Sequence, residues 1–146
     1  MSKKIIIILS AIVLTVLAYL AINSFYPKPI EGQKTIYISI YDETTNTIVL
    51  EKEAFKTTAK TLGEFFDEKH DGITISLVGS PLNRAIEVFN GIDSGLNNPE
   101  GPWLLYSSDN NQSCVSNGFC LGVDSLPIYD GDYFSFKLVS TFDFLE

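Results

Sequence analysis

Histidine is nearly absent, His70 being the only one in 146 residues. A histidine-based triad or a multi-histidine metal centre would need partners the chain is short of. Cysteine occurs twice, as Cys114 and Cys120. Two are too few for a four-thiolate zinc site, and these stand too far apart for a Cys-x-x-Cys redox pair. Basic residues are scarce as well: ten Lys and Arg face eighteen Asp and Glu, for a formal charge of −8. Setting aside Lys3 and Lys4 of the N-terminal segment leaves −8 − 2 = −10 for the remainder. Nucleic acid and anionic membrane surfaces both need a basic face, so neither is an expected partner of that remainder. The plainest meaning of the acidity is solubility. No glycine-rich loop of the phosphate-cradling kind occurs, and no internal repeat or low-complexity tract appears beyond the N-terminal run.

That run is what the chain has in quantity. Met1-Ser2-Lys3-Lys4 precedes eighteen uncharged residues, Ile5 to Ile22, in which only Ser10, Thr15 and Tyr19 carry a polar group. As a helix it would span about 27 Å, close to the thickness of a bilayer core. The small residues of a signal-peptidase site are missing, since cleavage after Ala21 would put Tyr19 at position −3. The run is also long for the apolar region of a signal peptide. Residues 1–26 therefore read as an uncleaved anchor, with a cleaved signal peptide as the alternative. Residues 5–22 would cross the cell membrane once, and the Lys3-Lys4 flank would send the C-terminal domain outside. No cysteine lies at the end of the run, which excludes a lipoprotein anchor. Tyr26-Pro27-Lys28-Pro29 opens a stiff spacer, residues 27–34. Residues 35–146 are enough for one domain with its own core, and their Tyr and Phe content suits a packed interior.

Within that domain Thr35 to Tyr41 alternates strictly, with Ile36, Ile38 and Ile40 on one face; this is the pattern of a half-buried strand. Asp42 to Asn46 is a turn, and Thr47 to Glu53 returns to make a hairpin. Thr61-Leu62-Gly63-Glu64 has capping-box spacing, followed by Leu62, Phe65 and Phe66 as the apolar stripe of one short helix ending near His70-Asp71-Gly72. Ile73 to Val78 and Ala85 to Phe89 read as strands, followed by an Asn90-Gly91 turn and then by Asp93 to Pro102 as loop. Trp103 to Ser107 reads as a strand and Asp109 to Gly118 as a polar loop. Asp130-Gly131-Asp132 turns into a last strand, Tyr133 to Ser140, with Phe134, Phe136 and Leu138 on one side. A hairpin, one covering helix and later strands returning to the same sheet indicate an α+β domain with a β-grasp-like mixed sheet, preceded by an N-terminal transmembrane helix.

The order of the hairpin, the Thr61-Leu62-Gly63-Glu64-Phe65-Phe66 helix start, Trp103-Leu104-Leu105-Tyr106, Gly122-Val123-Asp124 and Asp130-Gly131-Asp132 resembles a poorly characterised exported domain family. That family is related to the C-terminal domain of transcobalamin and intrinsic factor. The likeness covers about residues 35 to 140. It implies a β-grasp-like fold, export and often a membrane anchor. It also implies an alternative function, a carrier domain for a corrinoid or similar cofactor acting with a separate helical subunit. Ser108-Asp109-Asn110 stands where the family commonly has Asn-Gly, and no cobalamin-contact residue carries over.

The residues themselves give no catalytic constellation, so the expectation is a non-enzymatic binding or protein-interaction module without metal or cofactor. Cys114 and Cys120 read as a disulfide in an oxidising compartment. His70 reads as a solvated helix-end residue. Asp130 and Asp132 belong to a turn, because the loop lacks the further oxygen ligands of a calcium site. Asn111-Gln112-Ser113 matches a glycosylation acceptor, relevant only in a eukaryotic secretory route. The candidate binding residues for an unknown small ligand or protein at the cell surface are Trp103, Tyr106, Asp109, Asn110 and Tyr129, aromatics beside a polar loop. In a strand, Leu104 and Tyr106 share one face and Trp103, Leu105 and Ser107 the other. Leu104 with Tyr106 is the face expected to meet the core, leaving Trp103 partly accessible.

Overall fold

The computed structural model describes residues 3–25 and 32–141, with side chains for 10–21 and 32–141. The spacer expected over 27–34 lies outside the described residues as far as position 31. A helix, α1, runs Lys3–Phe25, about 34 Å at 1.5 Å per residue. Its side chains from Ser10 to Ala21 are all exposed. Among the described residues no helix is long and apolar enough to cross a membrane, those of α1 with described side chains spanning only Ser10 to Ala21.

The rest is α+β. Strands β1 (Lys34–Asp42) and β2 (Thr47–Thr57) form the expected hairpin, closed by the Asp42 carboxylate, which accepts from the Thr44 and Thr45 amides. After β2 comes the helix α2 (Leu62–Asp67), capped as its sequence predicts: Thr61 Oγ1 accepts from the Glu64 amide at 3.2 Å, and Glu64 Oε2 accepts from the Lys60 amide at 2.7 Å. Strands β3 (Ile75–Ser80), β4 (Asn83–Phe89), β5 (Ile92–Asp93), β6 (Trp103–Ser107), a helix α3 (Gln112–Asn117) and β7 (Tyr133–Val139) complete the order.

One sheet has the order β2-β1-β7-β6, with β1 and β7 parallel at its centre and both outer pairs antiparallel. The alternation read from the sequence holds. Ile36, Ile38 and Ile40 of β1 and Phe134, Phe136 and Leu138 of β7 are buried on one face, together with Leu62, Phe65 and Phe66 of α2.

Three expectations are corrected. Of the strands after α2, β6 and β7 return to this sheet as expected, but β3, β4 and β5 make a sheet of their own. Period-two alternation marks a strand but not the sheet it joins. Here Phe89 of β4 stacks edge-on against Phe66 and Phe136, with ring centroids 5.4 and 4.9 Å apart, so the second sheet packs across the core. The short covering helix is not alone, because α3 lies inside the segment expected as loop. Finally, α2 stops at Asp67, where Glu68 takes an extended ψ of 149°. His70 is then packed rather than solvated. Its ring stacks on Phe65 at 4.2 Å, and Nε2 lies 3.2 Å from the Phe65 carbonyl and 3.3 Å from Glu68 Oε2.

Candidate functional site

The segment between β6 and β7 is built around a buried asparagine. Asn111 caps α3: its Oδ1 accepts from the Ser113 and Cys114 amides at 3.0 and 3.1 Å. Its Nδ2 donates to the Pro127 carbonyl at 2.9 Å and to Asp132 Oδ2 at 2.6 Å. A fully buried amide with every group engaged is unavailable to a glycosylating enzyme in the folded chain, so the Asn111-Gln112-Ser113 match has a structural role. Asp132 Oδ2 also accepts from the Tyr129 amide at 2.8 Å. Burial raises the Asp132 carboxyl above its ordinary range, offset in part by these two hydrogen bonds and the Lys34 charge. Lys34 is itself buried, donates to the Ala59 carbonyl, and is lowered by that burial.

Helix α3 ends at Gly118, whose φ of 75° is the left-handed cap that glycine adopts without strain. Cys114 and Cys120 close a disulfide across this end, with Sγ–Sγ 2.02 Å. Such a bond fits a compartment outside the reducing cytosol. A further tie follows at once: Tyr106 Oη donates to the Leu121 carbonyl. The Tyr106 ring stacks on Phe136 at 5.3 Å, and burial pushes its phenol up to about 12.

Between this pinned segment and the outer edge of the main sheet lies a cleft of about 640 Å³. One wall is β6 and β7, contributing Leu105, Tyr106, Ser135 and Lys137; the other is the disulfide segment, contributing Val115 and Phe119, with Asp109 at one end. Leu105, Val115 and Phe119 are 41, 58 and 64% exposed. Three apolar side chains therefore face solvent around one concavity, the usual make-up of a recognition surface.

The five candidate residues are placed differently. Tyr106 and Asp109 line the cleft. Trp103 does not, but it sits two residues along β6 on the same outer face as Leu105, half-buried, with its indole over Gly101. A Cβ at Gly101 would come within 2.8 Å of that ring. As expected, Leu104 and Tyr106 are the core-facing pair. Asn110 borders a neighbouring hollow with Asp109, Tyr37, Lys52 and Tyr133, where its amide is engaged: Nδ2 donates to the Gly131 carbonyl and Oδ1 accepts from the Tyr133 amide, both at 2.8 Å. Tyr129 lines neither; its hydroxyl is buried with no partner among the described residues. Sequence reasoning missed Leu105, Val115, Phe119 and Lys137. The available signal was Phe119, a large apolar residue inside a short disulfide loop.

Among the described residues no group of three or more His, Cys, Asp or Glu is placed to hold a metal ion. No family model and no curated protein matches the chain. Eight chains of solved structures do. One, from Ruminococcus gnavus ATCC 29149 and described as a candidate metal-binding protein, has a TM-score of 0.52 and 18% identity, covering 75% of this chain and 99% of that one. At that identity the likeness concerns the fold.

Proposed function

We propose that this chain is a non-catalytic binding or protein-interaction module outside the cytoplasm, held at the membrane by α1, with the cleft between β6 and the Cys114–Cys120 segment as its site. The observation that carries the reading is the cleft itself. Phe119 and Val115 stay exposed opposite Leu105 while the disulfide, the Asn111 cap and the Tyr106–Leu121 hydrogen bond hold that wall in place. A preformed apolar concavity lowers the ordering cost of binding. The central parallel pair β1–β7, flanked by β2 and β6 with α2 on its buried face, supports a β-grasp-like description of the domain. Anchoring is supported by the sequence flank and by an α1 whose described apolar residues face outward all round, a pattern suited to lipid.

The test uses the full chain in phospholipid nanodiscs with labelled methyl groups. p-Cresol, a small amphipathic aromatic, should shift the Leu105 and Val115 methyl signals saturably, and Phe119→Asp should weaken that response at least tenfold. Shifts that ignore the substitution would reject the site. Cobinamide in place of p-cresol tests the carrier alternative; saturable shifts of the same methyls at micromolar concentration would favour it.

A further inference from the structure

The main sheet has two edges, and they are built differently. β2 carries Glu51, Lys52, Glu53 and Lys56 and is paired to β1 with register shifts, and Lys52 has a φ of 43°. Charge and irregularity of this kind discourage a further strand. The opposite edge, β6, reads Trp-Leu-Leu-Tyr-Ser, without charge, and pairs with β7 in unbroken register from Trp103↔Val139 to Ser107↔Ser135.

The phase of the β6 ladder can be read from its neighbours. The Leu104 amide donates outward to the Ser94 carbonyl at 3.0 Å, and the partner residue Leu138 accepts from Glu43 on the far side of β7. Leu104 and Leu138 are thus a non-hydrogen-bonded pair, and so, two residues on, are Tyr106 and Phe136. The Tyr106 N–H and C=O therefore point outward from the sheet. The strap that reaches Leu104 through Ser94 runs back into β5, which lies close to β6 without being paired to it, and the cleft runs alongside Tyr106.

Resting on the cleft reading above, we propose that its occupant is an extended segment of a partner protein, which pairs with β6 at Tyr106 as an added strand. The outward N–H and C=O of Tyr106 are matched by one residue of polypeptide backbone, while the neighbouring Leu105, Val115 and Phe119 take an apolar side chain of the segment. Charge sets a direction. Asp109 lies beyond the Ser107 end, and Lys137 is opposite Leu105, exposed and 3.8 Å from Glu43. A segment antiparallel to β6 then carries its basic residue, toward Asp109, N-terminal to the apolar one, and its acidic residue, toward Lys137, level with the apolar one or C-terminal to it.

The probe is the capped peptide Ac-Lys-Val-Thr-Val-Thr-Val-Glu-NH2, titrated into the full chain in nanodiscs. Two twins are N-methylated on alternate residues, one on each edge of the peptide. Binding should slow hydrogen exchange at the Tyr106 amide at least tenfold. One methylated twin should lose at least tenfold in affinity while the other binds as the parent does. Leu105→Lys, which places a charge on the edge at an exposed position, should abolish the protection. The absence of protection at millimolar peptide, or equal affinity of both twins, would overturn the proposal. p-Cresol separates the two failures: if it still shifts the Leu105 and Val115 methyls, only the strand pairing is wrong, and if it does not, the cleft reading falls with it.

Discussion

Arg84, at the start of β4, reaches out of the second sheet to two carboxylates. It donates from Nη1 and Nη2 to Asp67 at 2.6 and 3.0 Å, and from Nη2, Nε and its own amide to Asp124 at 2.6, 3.0 and 2.7 Å. The Asp124 side chain is only 7% exposed, and Gly63 lies so close that any Cβ there would collide with its carboxylate. The guanidinium holds the Asp124 carboxyl below its ordinary value. A lowered folded-state value stabilises the protein above the unfolded carboxylate range, near 4, and that contribution is lost as pH falls through the folded value. Asp132 acts in the opposite sense: its raised carboxyl favours the folded state more as pH drops from neutral. Subtracting a variant from the parent cancels that common term. Arg84→Met should cost about 2 kcal/mol at pH 7, since it strands a mostly buried carboxylate that keeps one backbone donor. The difference should shrink toward pH 2 in urea-unfolding curves. A gap that stays constant with pH would mean that packing, not the ion pair, carries the effect.

At the scale of elements, α3 is six residues long and has little stability of its own. It is held at its start by Asn111 and across its end by the disulfide. Cutting the bridge with Cys120→Ser opens a loop of about seven residues, worth roughly 2 kcal/mol on the chain-entropy model. Removing the cap with Asn111→Ala should cost more, about 2–4 kcal/mol, because Asp132 and the Pro127 carbonyl also lose a buried donor. The two effects should differ in reach. Hydrogen exchange in Cys120→Ser should quicken mainly over residues 112–121, whereas Asn111→Ala should also loosen the approach to β7. Identical exchange maps would show that cap and bridge act as one unit.

For the molecule as a whole, the asymmetry is between an apolar, uncharged N-terminal run and an acidic domain. The Lys3-Lys4 flank and the missing small residues at a cleavage site predict that full-length protein sediments with membranes. In intact cells, external protease should digest residues from about 32 onward while leaving α1. Mature protein recovered in solution, starting near Asn23, would establish cleavage instead.

Legibility followed the range of the interactions. The β1–β2 hairpin, the Thr61 cap, the core-facing sets Ile36/Ile38/Ile40 and Phe134/Phe136/Leu138, and the Leu104/Tyr106 face all depend on spacing along a few residues, and the sequence alone determined them. The Cys114–Cys120 bridge was also within reach, because only one pairing exists. Tertiary structure decided what depends on distant partners. Strands β3, β4 and β5 form a second sheet, which packs on the core where Phe89 meets Phe66 and Phe136. The α3 segment is helical because Asn111 is gripped by Pro127 and Asp132, and its polar composition carried no periodic signal. Tyr129 and Asn110 read as free binding groups from their chemistry, yet the hydroxyl of the half-buried Tyr129 is buried and the Asn110 amide is tied to the backbone. The cleft is the clearest case. Its apolar walls come from β6 and from residues 115–119, which no local pattern links, and only the closing of the disulfide segment against the sheet edge brings them face to face.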